Sequence, residues 1–319
     1  MDVPDVEEVL AGRPGAPIFA AGSDPAAVAQ ALREEGFAVL RGALPPESAA
    51  ELRSAVEAEA RRLLAEDPQR LGNRGPRRYS WGGASTTHHM VHVREWAQLL
   101  DLPSLTPVLE AAFSGDYIAV GGGGDFVLGE TDTHQRLHVD LQLPEMYDKE
   151  NPPAAIVANF AVDDVSCEDG PLRLVPRTQH RSLEASQLKK DWGYATHLQK
   201  EALLLGSWNL SSLPVCPLTA GDAVLRDMRL WHGGTPNRRN RSRYLPSAEF
   251  LSTWYASITI QVPEDHFSPR PALPFEHWLG LSANAQKRAQ FILAAPEPVQ
   301  AKVREDFVLM LPYVAEERP

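Results

Sequence analysis

The spacing of hydrophobic residues changes character near residue 116. Before that point, apolar residues recur every three or four positions in two segments, 25–36 and about 45–64. This spacing places them on one face of a helix. Ser23 or Asp24 precedes the first segment as a capping residue, and Gly36 follows it as a typical stop. The pattern therefore predicts two amphipathic helices, with a short strand at 37–40 between them.

Two other N-terminal segments lack a clear period. Residues 1–22 are rich in Pro, Gly and Ala, which indicates an N-terminal arm. Residues 67–95 are polar, contain Arg and His, and are interrupted by glycine, so they predict a long loop region. Long loops in compact domains are often binding loops or lids.

From residue 117 onward, short apolar runs alternate with turn residues. The run of four glycines at 121–124 is read as a hairpin turn, because no Lys-Ser/Thr follows it as in a phosphate-binding loop. Many short strands after two helices favour a mainly β fold with flanking helices and a jelly-roll core, the double-stranded β-helix of cupin-like proteins. The predicted strands are 117–120, 126–128, 137–143, 155–162, 172–175, 215–218, 223–225 and 244–250.

The C-terminal tail returns to helical spacing, with predicted helices at 282–293 and 297–308. We therefore expect one domain over residues 1–319. Its predicted parts are the arm 1–22, helical and loop support at 23–115, the jelly roll at 116–260 and a helical extension at 261–319.

Composition and charge narrow the class of protein. Lys and Arg total 31 against 42 for Asp and Glu, a formal charge of −11, which disfavours nucleic-acid binding. No apolar run is long enough for a membrane span, and the N-terminus lacks a secretory signal. The two cysteines cannot form a multi-disulfide framework and fit a reducing compartment. We expect a soluble cytoplasmic protein, and nothing in the sequence sets its oligomeric state.

Three residues in two motifs carry the candidate chemistry. His138 and Asp140 lie two apart in a predicted strand, so both project from one face. His232 follows a later predicted strand. Two imidazoles and one carboxylate form the facial triad of non-haem Fe(II) oxygenases. A lone His-x-Asp triplet is weak in a chain with ten histidines, but Arg243, eleven residues beyond His232, could pair with the distal carboxylate of a dicarboxylate cosubstrate.

At these residues the sequence resembles the phytanoyl-CoA dioxygenase family of Fe(II)/2-oxoglutarate oxygenases. The resemblance spans residues 24–260 and is carried by the blocks 135–140, 161–180 and 220–244, with 35–42 matching the family's opening helix and strand. One departure lies at 176–180, where Pro-Arg-Thr-Gln-His replaces the family's Pro-Gly-Ser/Thr-His. That change alters a turn near the rim of the site, so the resemblance does not imply any particular substrate for this protein.

The resemblance implies a role for each matching residue. Fe(II), 2-oxoglutarate and dioxygen are the implied cofactor and cosubstrates, and a small molecule is the implied substrate. Because Asp140 is present where related halogenases carry a small residue, the resemblance implies oxidation rather than halogenation. Hydroxylation of an unactivated C–H bond with release of succinate and CO2 is expected, with desaturation or ring formation as the alternatives. The implied iron ligands are His138, Asp140 and His232, and the implied 2-oxoglutarate contacts are Arg243, Thr235, Gln135 and Asn159.

Two other classes of protein remain open from the residues alone. One is a cupin-type hydrolase or isomerase that uses the same ligands around another metal and has no need of 2-oxoglutarate. The other is a non-catalytic binding module on the same scaffold. Two local clusters also have simpler interpretations. The histidines at 88, 89 and 92 fit a polar loop better than a metal site, and the arginines at 226, 229, 238, 239 and 241 fit a solvated, ion-paired face.

Overall fold

The computed structural model describes residues 17–85, 87–143, 152–181, 197–260 and 273–294, and these contain two β-sheets and several helices. The strands are β1 (Ile18–Ala20), β2 (Phe37–Arg41), β3 (Arg78–Ser80), β4 (Tyr117–Gly121), β5 (Gly124–Val127), β6 (Ala155–Phe160), β7 (Leu172–Leu174), β8 (Leu213–Pro214), β9 (Ala223–Asp227), β10 (His232–Gly234) and β11 (Arg243–Ser252). The helices are α1 (Pro25–Glu35), α2 (Pro46–Glu66), α3 (Arg94–Ala97), α4 (Thr106–Ala112), α5 (His197–Ser207), α6 (Thr253–Ile260), α7 (Phe275–Leu279) and α8 (Ala283–Arg288).

The strands form one large and one small sheet. In the large sheet the order is β1-β2-β9-β6-β11-β5-β3, and β4 also pairs with β11. The small sheet has the order β10-β7-β8. An antiparallel bridge between His138 and His232 adds the segment around His138 to the β10 edge. The predicted mainly β, jelly-roll class is confirmed.

Alternate residues of the large sheet pack in opposite directions, as the period of two requires. Phe37 and Val39 of β2 belong to a buried cluster that includes Leu174 of the small sheet. Ala38 and Leu40 belong instead to the cluster that contains the buried faces of α1 and α2. The large sheet therefore lies between the small sheet and the helices α1 and α2, and the space between the two sheets is where a site can form.

The N-terminal helix and strand follow the predicted pattern closely. Asp24 accepts a hydrogen bond from the backbone N–H of Ala26, and α1 begins at Pro25. Gly36 ends the helix with φ of 83°, a left-handed conformation that costs glycine little. The cap residues were thus sufficient to predict both ends of this helix.

The four glycines do not form the predicted hairpin. β5 pairs with residues 243–246 of β11, and β4 pairs with residues 249–252 of the same strand. β4 and β5 therefore lie end to end along the same edge of β11, with a break between them. The glycines are needed at the interruption, since a Cβ on Gly122 would lie 2.1 Å from the carbonyl oxygen of Ser247. The hairpin prediction was wrong because a turn signal does not reveal which strand each flanking run pairs with.

Several other boundaries differ from the predictions. The loop region 67–95 contains β3 and the start of α3. The predicted strand 137–143 is reduced to the single bridge at His138, and the strand predicted at 215–218 is replaced by β8 just before it. The predicted helix 282–293 is divided into α8 and a 3-10 turn at Gln290–Ile292, while 297–308 lies outside the described residues.

The two cysteines are joined to each other. Cys167, in the loop after β6, forms a disulfide with Cys216, which follows β8. The argument from cysteine content for a reducing compartment therefore loses its support. Over the described part of the chain, none of the helices has the length and apolar character needed to cross a membrane.

Candidate metal centre

Strand pairing brings the two predicted histidine ligands side by side. The backbone N–H of each donates to the carbonyl of the other, with N···O distances of 2.9 Å in both directions. The imidazole ring centroids of His138 and His232 lie 4.2 Å apart. Asp140 follows two residues after His138, and its carboxylate comes within 3.7 Å of His138 Nε2 and 3.4 Å of His232 Nε2.

The arrangement suits a metal ion in both geometry and protonation. One ligand atom from each of the three residues lies within 4.8 Å of the others. Each Nδ1 lies at hydrogen-bond distance from a backbone carbonyl, that of Arg136 or of Leu230. Since a carbonyl can only accept, each Nδ1 carries the proton and each Nε2 offers its lone pair, as metal-ligating histidines require. Burial, followed by the neighbouring His232, lowers the pKa of His138 to about 3, so this ligand is neutral at neutral pH.

An arginine on β9 holds the carboxylate of the triad. Arg226 donates from Nη2 to Asp140 Oδ2 at 2.5 Å. Burial alone would raise the pKa of Asp140, but the Arg226 guanidinium together with His232 and His138 outweighs burial and keeps the pKa well below the usual range. Arg226 is 6% exposed, and Arg229 is buried in an ion pair with Asp227. The prediction of a solvated face was therefore wrong for these two arginines.

The same prediction is confirmed farther along the chain. Arg238 pairs with Glu168, and Arg241 pairs with Asp169, and both guanidinium groups are more than half exposed. The difference follows from strand geometry: Arg226 faces inward from β9, whereas Arg238 and Arg241 lie in the connection before β11.

A cavity of about 130 Å³ opens beside the three ligands. Its walls come from both sheets and from the segment around β3. Along β11, the alternate residues Leu245, Ser247 and Glu249 all face it, as do Val157 and Asn159 of β6. Its full lining is Arg74, Arg78, Tyr79, Ser80, Gly124, Asp125, Gln135, His138, Asp140, Val157, Asn159, Leu172, Arg226, His232, Gly234, Leu245, Ser247 and Glu249.

Of the four residues predicted to contact the cosubstrate, some line the cavity and others do not. Gln135 and Asn159 line the cavity. Arg243 lies at the start of β11, just behind the wall, where its Nε donates to Gly170 O at 2.9 Å and its Nη1 to Asp125 Oδ1 at 3.1 Å. Thr235 is not brought to the cavity, because its hydroxyl donates to the carbonyl of Pro171 at 2.7 Å.

The sequence analysis missed an arginine that does line the cavity. Arg78 of β3 is 6% exposed and donates from Nη2 to the carbonyls of Thr133 and Thr235. Its Nη1 lies 2.5 Å from the position that a Cβ on Gly234 would occupy. The available signal was the short run Arg78-Tyr79-Ser80, in which the Tyr79 ring stacks on Phe126 and all three residues line the cavity.

The histidines of the long loop do not form a second metal site. Within the described residues, the cluster of His138, Asp140 and His232 is the only group of histidine, cysteine and acidic side chains that could hold an ion. The interpretation of the histidines at 88, 89 and 92 as part of a polar loop stays a prediction.

A match to a protein-family model identifies the family to which this chain belongs. The model for phytanoyl-CoA dioxygenase (PhyH) matches residues 32–244, which includes all three ligands and Arg243. The chain belongs to the phytanoyl-CoA dioxygenase family. With the family, the predicted enzyme class is confirmed as a 2-oxoglutarate-dependent dioxygenase, an oxidoreductase with non-haem iron as its cofactor and 2-oxoglutarate as its cosubstrate.

Solved structures with a related architecture include three enzymes. The non-heme alpha ketoglutarate dependent epimerase SnoN from nogalamycin biosynthesis is 20% identical, covering 77% of this chain and 93% of its own, with a TM-score of 0.46. HygX from Streptomyces hygroscopicus, with nickel, 2-oxoglutarate and hygromycin B bound, is 15% identical, covering 70% and 85%, with a TM-score of 0.48. The carbocyclase SnoK from nogalamycin biosynthesis is 16% identical, covering 70% and 82%, with a TM-score of 0.45. No curated protein matches the chain, so membership of the PhyH family rests on the sequence match and the site.

Proposed function

We propose that this PhyH-family dioxygenase hydroxylates an unactivated C–H bond of a small molecule and releases succinate and CO2, with His138, Asp140 and His232 as the iron ligands. The observation that carries the proposal is the convergence of these three donor groups within 4.8 Å at the wall of a cavity. Iron bound there with 2-oxoglutarate and dioxygen supplies the oxidising chemistry.

The protein's own residues prepare that site in advance. The two Nδ1 hydrogen bonds hold both rings with Nε2 directed toward Asp140, which fixes the ligands on one side. Arg226 engages Oδ2 of Asp140, which leaves Oδ1 as the freer carboxylate oxygen. Because Asp140 occupies the place that a halide would need, the ligand set supports hydroxylation over halogenation.

The cosubstrate is proposed to bind at the end of the cavity where two arginines meet. Arg78 and Arg243 are both paired with Val127 of β5, one from each side, so they face the same direction two strands apart. Both guanidinium groups can form charge-assisted hydrogen bonds with a carboxylate. Arg243 therefore keeps its proposed role from just behind the wall. Arg78 is added on the wall itself, and Gln135 and Asn159 supply amide contacts.

The proposal is tested by anaerobic titration of the Fe(II)-loaded protein with 2-oxoglutarate, followed by the visible metal-to-ligand charge-transfer band. We expect the band in the wild type and its loss in His232→Ala. Arg243→Ala and Arg78→Gln should each weaken 2-oxoglutarate binding by about 10- to 100-fold, since each removes a hydrogen bond to a charged group. Pyruvate, a 2-oxo acid with no distal carboxylate, is the matched ligand, and its binding should be unchanged in both arginine variants.

Two outcomes would redirect the assignment. Iron binding without a charge-transfer band would show that 2-oxoglutarate is not the cosubstrate and would favour a cupin-type hydrolase or isomerase. Failure to bind iron would leave a binding module on this scaffold.

A further inference from the structure

Two charged side chains of the cavity have no task in the proposed function. Glu249 projects from β11, and Arg74 projects from the segment between α2 and β3, with a guanidinium nitrogen 3.5 Å from the position of a Cβ on Gly83. Among the residues that the structure describes, neither side chain has a hydrogen-bond or ion-pair partner, and they do not pair with each other.

These two groups differ from the other charges around the cavity. Arg226 is paired with Asp140, and Asp125 is paired with Arg243. A charge in a protein cavity is costly unless it is paired. Burial, assisted by the charge of Asp140, raises the pKa of Glu249 to about 7, and burial lowers the pKa of Arg74. Arg74 and Glu249 attract each other, and Arg226 attracts Glu249, but burial outweighs these attractions for both groups.

The cosubstrate cannot supply the missing partner of Glu249. Glu249 lies six residues from Arg243 along β11, which corresponds to about 20 Å at the rise of an extended strand. The five-carbon chain of 2-oxoglutarate spans at most about 6 Å. With its distal carboxylate near Arg243 and Arg78, the cosubstrate ends well short of Glu249.

Glu249 instead lies in the same row of side chains as Arg226. Glu249, Val157 and Arg226 are opposite one another across β11, β6 and β9, so they form one row on the cavity face. Arg226 at the other end of this row contacts Asp140. A molecule that contacts Glu249 is thus held close to the metal centre, where the primary substrate must bind.

We infer, on the basis of the proposed function, that the primary substrate is a small zwitterion whose cationic nitrogen pairs with the Glu249 carboxylate and whose anionic group pairs with the Arg74 guanidinium. Each pairing is a charge-assisted hydrogen bond that the two side chains do not make with any described residue. The two charges of one molecule would compensate both side chains together.

A series of zwitterions of increasing length tests this inference. Glycine, β-alanine, 4-aminobutyrate and 6-aminohexanoate are each titrated into the anaerobic Fe(II)–2-oxoglutarate complex, and the perturbation of the charge-transfer band gives the dissociation constant. The controls at each length are the alkylamine and the carboxylic acid that carry only one of the two charges. We expect one length to bind at least tenfold more tightly than either of its singly charged analogues.

Variants assign the two ends of the bound molecule. Glu249→Gln and Arg74→Gln keep the polar character and remove one charge each, and each should reduce zwitterion binding to the level of a singly charged analogue. Arg61→Gln, on the outer face of α2, is the matched control, since the Arg61 side chain is 71% exposed and outside the cavity.

The outcomes separate the two proposals. Formation of the band in the wild type tests the proposed function, whereas the response of the band to zwitterions tests the inference. If the band forms but no zwitterion perturbs it up to 50 mM, or none is preferred over its analogues, the inference is overturned and the proposed function stands. If the amine alone binds as tightly as the zwitterion and only Glu249→Gln matters, the substrate is a cation and the role of Arg74 is wrong.

Discussion

Thr235 shows how the direction of one side chain separates a binding role from a structural one. In β10, His232 and Gly234 lie two apart and both line the cavity, while the hydroxyl of Thr235, one residue beyond the strand, donates to Pro171 O. Arg78 occupies the space beside Gly234 that a side chain there would have filled. The proposed carboxylate contact therefore moves from a hydroxyl on the small sheet to a guanidinium on β3.

A valine substitution at Thr235 measures this difference. Thr235→Val keeps the shape of the side chain and removes its hydroxyl, so we expect the free energy of unfolding to fall by about 1 kcal/mol, the net value of a typical hydrogen bond. The dissociation constant of 2-oxoglutarate should not change. Chemical denaturation and the charge-transfer titration provide the two readings, and a tenfold loss of 2-oxoglutarate affinity would return Thr235 to the binding site.

At the scale of elements, the long strand β11 organises the cavity. It pairs with β6 along one edge and with β5 and then β4 along the other. Its period of two directs Leu245, Ser247 and Glu249 toward the cavity. The glycines between β4 and β5 let two short strands share this edge, because the backbone at Gly122 passes directly against Ser247.

The close approach at Gly122 makes a stability prediction. Gly122→Ala introduces a methyl group 2.1 Å from the Ser247 carbonyl oxygen and 2.9 Å from Ala248 Cα, so the backbone at one of these positions must shift. We expect a loss of about 1–3 kcal/mol in the free energy of unfolding, as for other overpacked positions. The control is Gly206→Ala in α5, where no atom lies within 4 Å of the added Cβ and helix propensity favours Ala. Equal stability of the two variants in urea denaturation would contradict the proposed crowding.

At the scale of the whole molecule, one covalent link crosses the jelly roll. The disulfide between Cys167 and Cys216 closes a segment with a sequence separation of 49 residues, which includes β7, α5 and β8. The same loop after β6 contains Gly170, whose carbonyl accepts from Arg243. The predicted division into an arm, support, jelly roll and C-terminal extension stays a prediction, as does the cytoplasmic location.

Removal of this link should lower global stability. A closed segment of this length is worth about 4 kcal/mol through the entropy of the unfolded chain. We therefore expect the double variant Cys167→Ser/Cys216→Ser to unfold at a clearly lower denaturant concentration than the oxidised wild type. Wild-type protein kept in a reducing agent should match the variant, and an unchanged midpoint in both would show that the disulfide does not constrain the unfolded chain.

Local patterns in the sequence determined much of this protein. Asp24 and Gly36 predicted the ends of α1, and period-two runs predicted most strands of the jelly roll. The pair His138 and Asp140, joined with His232 and Arg243, predicted the metal centre and the enzyme class. The helix ends and strands depend on residues close in the chain, so spacing reports them, whereas the metal centre and enzyme class were implied by the resemblance to a known family.

Only the tertiary structure decided which distant residues share the cavity. Arg226 contacts Asp140 across 86 residues of sequence. Arg78, Arg74 and Glu249 meet from segments that the spacing assigned to a loop or to an ordinary strand. The physical reason is that the period of a strand tells which face a side chain takes but not which strand lies beside it. Pairing of β11 with β4, β5 and β6, and of His138 with His232, supplied that information and so placed the charges around the metal centre.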